Sequence, residues 1–161
     1  MWRAWAFWVS TNQGFGCQIG SGWGYGNDDK VAKKITNKKV AFSEYLCERL
    51  ERTQIECNDA LRVIKSRDTA ESFHYIDPPY IEVSQGHYAG YLRTDFEELL
   101  KSLETIKGKF LLSTYPTDML EEYTKKNGWC TVEVDKPLGV AIAKGTARKR
   151  KIEVLTANYP I

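Results

Sequence analysis

The sequence predicts an α/β protein: a doubly wound sheet preceded by a helical and loop segment at the amino terminus. From residue 54 onward, apolar stretches of strand length alternate with amphipathic stretches of helix length, a pattern typical of parallel strands joined by helices. Before residue 54, glycine-rich and lysine-rich stretches replace this alternation. We therefore expect two parts, residues 1–53 and residues 54–161.

The composition is that of a globular protein. Of its 161 residues, 42% are hydrophobic and 12% aromatic, which is enough for a packed core. A net charge of +2 neither demands nor excludes a polyanionic partner. The apolar residues 1–9 are too few for a membrane span and are interrupted by Arg3, so we expect a soluble, cytoplasmic protein.

The cysteines indicate neither a metal site nor a redox motif. They are widely separated and form no CxxC pair, which predicts reduced thiols and no zinc. The residues are Cys17, Cys47, Cys57 and Cys130.

The amino-terminal part contains two predicted helices with irregular sequence between them. Residues 1–10 are expected to form a short buried helix, because Trp2, Trp5, Ala6 and Val9 recur at helical spacing. Residues 11–27 hold six glycines and fit no GxGxxG pattern, so we expect a long loop rather than a dinucleotide site. The second helix is predicted over residues 43–52.

Two features of this part are compatible with binding to a nucleic acid. The amide side chains of Asn12 and Gln13, close to aromatic residues, suit contact with bases, although a plain connecting loop is an equally good interpretation. Lysines concentrate in residues 28–39, with Lys33 and Lys34 among them. They either bind phosphates or form a solvated surface.

The α/β part divides into short elements. Strands are predicted at residues 54–57, 73–76, 109–115, 131–134 and 152–157, and helices at 60–64, 95–106 and 117–126. Thr94 is the expected N-cap of the middle helix, and Asn127-Gly128 the expected end of the last. The apolar face of the middle helix carries Phe96, Leu99, Leu100 and Leu103.

The strand at residues 73–76 runs directly into the motif Asp77-Pro78-Pro79-Tyr80. At average residue frequencies, this tetrapeptide arises by chance on the order of once per hundred thousand positions. A turn after a strand is the structural alternative, since Asp-Pro commonly opens a loop. That alternative explains one proline more easily than two, and it does not explain the tyrosine.

The motif suits methylation of an aromatic amine. Consecutive prolines stiffen the backbone, so the Asp77 carboxylate and the Pro78 carbonyl are suited to accept hydrogen bonds from one exocyclic amine. Tyr80 is suited to stack on the target base, and positioning and electrostatics supply most of the rate. A base paired inside a duplex cannot reach such a pocket, so the reaction requires base flipping. Ligands of a doubly wound sheet bind at the carboxyl ends of strands, where Asp77 falls.

On this motif the sequence resembles the Dam-type N(6)-adenine DNA methyltransferases. Residues 85–91 resemble the family's mobile segment after the motif, residues 110–115 its next strand, residues 148–155 its closing strand, and residues 55–60 its acidic turn near the cofactor adenine. The resemblance implies a partial Rossmann-like methyltransferase sheet, S-adenosylmethionine as methyl donor and double-stranded DNA as partner. It also implies Asp77, Pro78, Pro79 and Tyr80 as catalytic residues.

The resemblance assigns binding roles as well. Asp59 and Asp77 are implied at the cofactor, with capping of the next helix as the structural alternative for Asp59. Residues 3–7 and the glycine-rich loop resemble the target-recognition region. The basic residues 144–151 either bind phosphate or form a solvated hairpin, and His87 is either a substrate contact or an ordinary loop residue. The implied DNA contacts are Arg3, Asn12, Gln13, Lys33, Lys34, His87, Tyr88, Arg148 and Lys149.

One element of the family pattern does not occur in this sequence. The aromatic FxGxG loop that holds the cofactor normally precedes the recognition region, and no such strand, loop and helix is found here. We therefore expect a split, truncated or partial enzyme with an exposed edge on the strand at residues 73–76, covered by a separate amino-terminal half or by self-association. Weak or no independent binding of S-adenosylmethionine is expected.

Two other classes of function are compatible with the sequence. A non-catalytic DNA-binding remnant would keep the recognition region without methyl transfer. A methyltransferase acting on RNA or on a protein amide would use a related Pro-Pro-Tyr motif. The recognition-like segment before the motif favours DNA through the resemblance.

Overall fold

The computed structural model describes residues 2–14, 22, 29–40, 43–81, 90–137 and 150–161. The chain divides into two compact units, residues 1–56 and residues 57–161. The first is helical and the second is α/β. None of the helices in the described ranges is long and apolar enough to span a membrane.

The described residues of the first unit form three helices: α1 (Trp2–Gln13), α2 (Asp29–Val40) and α3 (Glu44–Glu51). The helix predicted at residues 43–52 is confirmed as α3. Helix α1 includes Thr11 to Gln13, which were expected in the loop, and α2 occupies the lysine-rich stretch for which no helix was predicted. Lysine is a good helix former, so the basic composition of that stretch is compatible with the helix.

The expectation that the first helix is buried is wrong. Trp2 is 84% exposed, Phe7 is 60% exposed, and the buried residue of α1 is Asn12. Positions 5 and 7 point about 200° apart around a helix, so the aromatic side chains do not form the single stripe that burial on one face requires. The Asn12 amide donates a hydrogen bond to the Trp8 carbonyl at 2.6 Å.

In the second unit, the part of the chain that the structure describes forms three helices and four strands. The helices are α4 (Ala60–Arg67), α5 (Arg93–Leu103) and α6 (Asp118–Asn127). The strands are β1 (Phe73–Ile76), β2 (Lys109–Thr114), β3 (Cys130–Pro137) and β4 (Arg150–Ala157). Each of the last four predicted strands is confirmed, β1 with its predicted bounds.

The sheet has the order β1-β2-β4-β3 and is mixed. Strand β2 pairs in parallel with β1, with Ile76 opposite Leu112, whereas β4 is antiparallel to both of its neighbours. The expectation of purely parallel pairing is therefore wrong for β3 and β4. Hydrophobic periodicity predicts a strand but carries no information on its direction. Strand β1 lies at one end of this order, as the expected exposed edge requires.

One face of the sheet packs on helices. The core joins β2 and β4 to α5 and α6, and the predicted apolar face of the middle helix is fully buried in it. On the opposite face, the aromatic residues of β1 are open: Phe73 is 56% exposed and Tyr75 61% exposed. The buried residues of the core include Phe96, Leu99, Leu100, Leu103, Phe110, Leu112, Leu120 and Val154.

Two local predictions are wrong. Residues 54–57 form no strand; they are exposed, Ile55 most of all, and a strand requires a partner for its backbone groups. Thr94 lies inside α5, whose N-cap is Leu92; there the Asp95 carboxylate accepts a hydrogen bond from the Leu92 N–H at 2.6 Å.

Two other helix ends agree with the sequence. The Thr117 hydroxyl caps α6 by accepting a hydrogen bond from the Leu120 N–H. Gly128 ends this helix in the left-handed conformation, with φ of 64°, which glycine adopts without a steric penalty.

Candidate active site

The motif at residues 77–80 lies where the parallel strand β1 ends. Asp77 is exposed, whereas Pro78, Pro79 and Tyr80 are partly buried. The next residue, Ile81, is buried in the core. The motif is therefore anchored on both sides, by β1 and by Ile81, while its carboxylate faces solvent.

Tyr80 is held by the neighbouring strand. Its hydroxyl lies 3.3 Å from the Ser113 hydroxyl near the end of β2. Its ring packs edge-on against Tyr115, with ring centroids 4.5 Å apart and ring planes at 68°. Burial raises the pKa of the Tyr80 phenol, the hydrogen bond with Ser113 opposes this shift, and the negative charge of Asp77 adds to it. Tyr80 is therefore a neutral aromatic ring at physiological pH.

Basic side chains lie beside this pair of tyrosines. The Lys151 ammonium lies 4.0 Å from the centroid of the Tyr115 ring, within the range of a cation–π interaction. Lys136 of β3 pairs with Glu153 of β4, which raises the pKa of the lysine. The carboxyl end of β1 and β2 thus carries one exposed acid, two aromatic rings and a lysine on the outer ring.

Asp59, the other residue implied at the cofactor, caps a helix. Its Oδ1 accepts a hydrogen bond from the Arg62 N–H at 3.0 Å, at the start of α4. The side chain is exposed, and a carboxylate has about four acceptor positions, so capping leaves capacity for a second ligand. Asp59 belongs to the same unit as Asp77.

The residues implied at DNA are distributed along the chain. Arg3, Asn12 and Gln13 belong to α1, and Lys33 and Lys34 to α2. Arg3 and Lys33 are exposed, whereas Asn12 is buried and bonded within its own helix. His87, Tyr88, Arg148, Lys149 and most of the glycine-rich loop lie outside the described residues.

The opposite end of β1 is closed by a hydrogen-bonded cluster. The Asp68 carboxylate accepts hydrogen bonds from the backbone N–H groups of Lys107 and Gly108 at 2.9 and 3.0 Å, and from the Ser72 hydroxyl at 3.4 Å. His74 Nε2 lies 3.0 Å from the Ser72 hydroxyl. This serine, histidine and aspartate lie at the amino end of the strand and tie it to the start of β2.

Two cavities lie away from the motif. One of about 360 Å³ borders α6 and β3, and one of about 550 Å³ lies between α4 and α5. Neither is lined by residues of the motif. Within the described part of the chain, no cluster of three or more His, Cys, Asp or Glu side chains is arranged to hold a metal ion.

Sequence reasoning missed three residues of the site: Ser113, Tyr115 and Lys151. Ser113 stands 33 positions from Tyr80, so no local pattern links the two. One signal was available: a serine close to the carboxyl end of an apolar strand is a polar group in need of a partner. Lys151 was considered only as part of a basic stretch.

The Asp-Pro-Pro-Tyr motif thus lies at the carboxyl end of a parallel strand, with the tyrosine ring held by the next strand. The model of the family of D12 class N6 adenine-specific DNA methyltransferases matches residues 21–136. The chain belongs to this family, which makes it an enzyme of the adenine-specific DNA methyltransferase type. No curated protein matches the sequence.

Proposed function

We propose that this protein methylates the exocyclic amine of an adenine flipped out of duplex DNA, with S-adenosylmethionine as donor. The observation that carries this proposal is the position of residues 77–80 at the carboxyl end of β1, with Tyr80 bonded to Ser113. Family membership supports DNA as the substrate and adenine as the base.

The side chains of the motif have separate roles in this reaction. The Asp77 carboxylate and the Pro78 carbonyl accept hydrogen bonds from the two amine protons, which orients the nitrogen lone pair away from them. Tyr80 stacks on the base and keeps it extrahelical. Because Asp77 is exposed, its carboxylate is accessible to the amine without a movement of the core.

When bound, S-adenosylmethionine would supply an electrophilic methyl group: the N–C bond forms as the S–C bond of the sulfonium breaks, S-adenosylhomocysteine leaves, and one amine proton is released to water. Asp59 and Asp77 are the residues of this chain that we propose to hold it. Both carboxylates are exposed, and two acids suit the hydroxyl and amino groups of such a ligand.

We further propose that another polypeptide segment completes the donor side of the site. Strand β1 has a neighbour on one side only in the described sheet, and the aromatic rings of Phe73 and Tyr75 are more than half exposed. An open edge and an apolar face are features that proteins normally cover. An amino-terminal half supplied as a separate chain is the partner we propose, with self-association as the alternative. S-adenosylmethionine would bind weakly without this partner.

The first unit and the basic stretch are proposed to contact DNA. The residues involved are Arg3, Asn12, Gln13, Lys33, Lys34, His87, Tyr88, Arg148 and Lys149. Arg3 and Lys33 are exposed on α1 and α2, which supports a role for their charges at phosphates.

The test is methyl transfer from labelled S-adenosylmethionine to DNA that lacks adenine methylation. The protein is assayed alone and with a supplied amino-terminal half that carries an FxGxG loop. We expect N(6)-methyladenine in the digested product, and we expect Asp77→Asn to lower the rate about 1000-fold, because it removes a charged hydrogen-bond acceptor from the amine. Asp118→Asn, in the first turn of α6, is the matched control and should retain the wild-type rate.

Three other outcomes of this assay have defined meanings. DNA binding without methyl transfer in either form would favour a non-catalytic DNA-binding remnant. Methyl transfer to RNA or to a protein amide, with none to DNA, would identify that class of molecule as the substrate. Tight binding of S-adenosylmethionine by the chain alone, in the micromolar range, would contradict the proposed need for a partner.

A further inference from the structure

Tyr80 is tied to the neighbouring strand at two points, and these contacts extend the site beyond its motif. The first is the hydroxyl contact with Ser113 at 3.3 Å, and the second is the edge-on contact with Tyr115 at 4.5 Å between ring centroids. A tyrosine side chain rotates about two bonds. One contact at the hydroxyl and one along the ring are enough to restrict both rotations.

We propose that Ser113 and Tyr115 are positioning residues, which fix the orientation of the Tyr80 ring before the target base arrives. Lys151 stabilises this arrangement by holding Tyr115. The role rests on the proposed methyl transfer, in which Tyr80 stacks on the base. Stacking of a base on an aromatic ring contributes about 1–3 kcal/mol, and ordering a free side chain on binding consumes part of that gain.

The burial of Ser113 is explained by this role. Only 3% of the residue is exposed, and burying a hydroxyl without a hydrogen bond is unfavourable. Ser113 lies opposite Leu155 of β4, where an apolar side chain would suit the surroundings. The Tyr80 hydroxyl gives the serine a partner in this position.

Tyr115 contacts both Tyr80 and a cation. The Lys151 ammonium lies 4.0 Å from the centroid of its ring, closer than the Lys109 ammonium lies to the Tyr159 ring, at 5.5 Å. A ring held by both an aromatic edge and a cation has less freedom than a ring held by either. The pair formed by Lys109 and Tyr159 is a natural control, because Lys109 begins β2 while Ser113 lies near its end.

The kinetic test compares variants that remove each contact with variants that keep it. Ser113→Ala and Tyr115→Ala should lower kcat by about tenfold to 100-fold, with the KM for DNA within about twofold of wild type, since the positioning of the ring acts on the oriented complex. Ser113→Thr retains the hydroxyl, and Tyr115→Phe retains the ring. Both variants should therefore keep most of the wild-type kcat. Lys151→Met should have a smaller effect than Tyr115→Ala.

Two controls separate positioning from general damage to the sheet. Lys109→Ala removes another lysine placed on a tyrosine ring, and Thr131→Ala breaks the hydroxyl pair between Thr131 and Thr156, whose oxygens lie 3.0 Å apart. Both should retain the wild-type kcat. Equal losses in the controls and in the Ser113 and Tyr115 variants would overturn the proposal.

A second measurement requires no methyl transfer. In NMR spectra of the free protein with labelled tyrosine, the two edges of the Tyr80 ring should give separate signals, because the contacts slow ring rotation. Ser113→Ala and Tyr115→Ala should merge these signals, whereas Lys109→Ala should not. Tyr80→Phe, with phenylalanine unlabelled, identifies the signal.

The two measurements distinguish failure of this inference from failure of the proposed function. If the wild-type chain and its supplied partner transfer no methyl group, the proposed function fails, and the ring signals still decide whether Ser113 and Tyr115 fix Tyr80. If Ser113→Ala and Tyr115→Ala leave the ring signals of Tyr80 unchanged, the positioning role is excluded. If these variants free the ring and retain kcat, the ring is held but its position does not contribute to the rate.

Discussion

The two ends of the β1 and β2 pair each carry an aspartate, and the two aspartates have opposite surroundings. At the amino end, Asp68 accepts hydrogen bonds from Lys107, Gly108 and Ser72. At the carboxyl end, Asp77 is exposed. Asp68 is thus surrounded by donors of its own chain, as a structural carboxylate is, whereas Asp77 is exposed next to an aromatic residue.

The pKa shifts at the two ends differ as well. The hydrogen bond from the Lys107 N–H lowers the pKa of Asp68, although partial burial opposes the shift. At the other end, burial raises the pKa of the Tyr80 phenol. The amino end therefore stabilises a negative charge on its aspartate, and the carboxyl end keeps its tyrosine neutral.

The largest expected effect is at the amino end, in Gly108→Ala. A Cβ atom at this position would lie 2.2 Å from the Ser72 hydroxyl and 2.5 Å from the Ser72 carbonyl oxygen. The backbone carbonyl cannot move aside without breaking its hydrogen bond with the Lys109 N–H. We expect the free energy of unfolding of the α/β unit to fall by about 3 kcal/mol, measured as hydrogen exchange of the β2 amides.

The control for Gly108→Ala is Lys107→Ala, in the same turn. Lys107 is exposed, and its substitution keeps the backbone N–H that Asp68 accepts. Its effect should be within about 0.5 kcal/mol. If Gly108→Ala were as stable as this control, the close packing of Gly108 on the turn at residues 69–72 would be contradicted.

The next effect is a pH dependence from Asp68→Asn. The pKa of Asp68 is lower in the folded than in the unfolded chain, where it is about 3.9. Its contribution to stability is therefore present above pH 3.9 and is lost as the pH falls through the folded pKa. At pH 7 the variant should unfold at a lower urea concentration than wild type, by less than Gly108→Ala, and the difference should shrink below pH 3.9. Glu71→Gln, exposed in the adjacent turn, should show no comparable loss at pH 7.

The sequence predicts the second unit better than the first. Strand β1 and the end of α6 are predicted because local chemistry defines them: an apolar run stopped by two prolines, and an amphipathic stretch followed by Asn127-Gly128. Helix α1 is correct as a helix but wrong as a buried one. Its aromatic residues are exposed, and composition alone does not reveal whether a partner surface exists.

Long-range contacts explain the remaining differences. The antiparallel direction of β4 and the missing strand at residues 54–57 depend on which segments pair, and pairing is not encoded in periodicity. The same holds for the active site. Asp77 and Tyr80 are recognisable in four consecutive residues, whereas Ser113 and Lys151 join them only when the sheet forms.

The smallest stability effect is expected at the carboxyl end, where Tyr80→Phe and Ser113→Ala each remove one side of the same hydroxyl contact. Tyr80 is partly exposed, so its hydroxyl retains access to water when Ser113 is substituted, and Ser113→Ala should lose only about 0.5 kcal/mol. Tyr80→Phe leaves the buried Ser113 hydroxyl without this partner and should lose slightly more, about 1–1.5 kcal/mol.

Because both variants break one hydrogen bond, their effects should not add, and the double variant should be about as stable as the less stable single variant. The same relation should hold for kcat: either substitution removes the same hydroxyl contact, so loss of the second hydroxyl should change kcat little further. Additive losses in the double-mutant cycle would show that Ser113 and Tyr80 act independently, and the carboxyl end would then position its base by the motif alone.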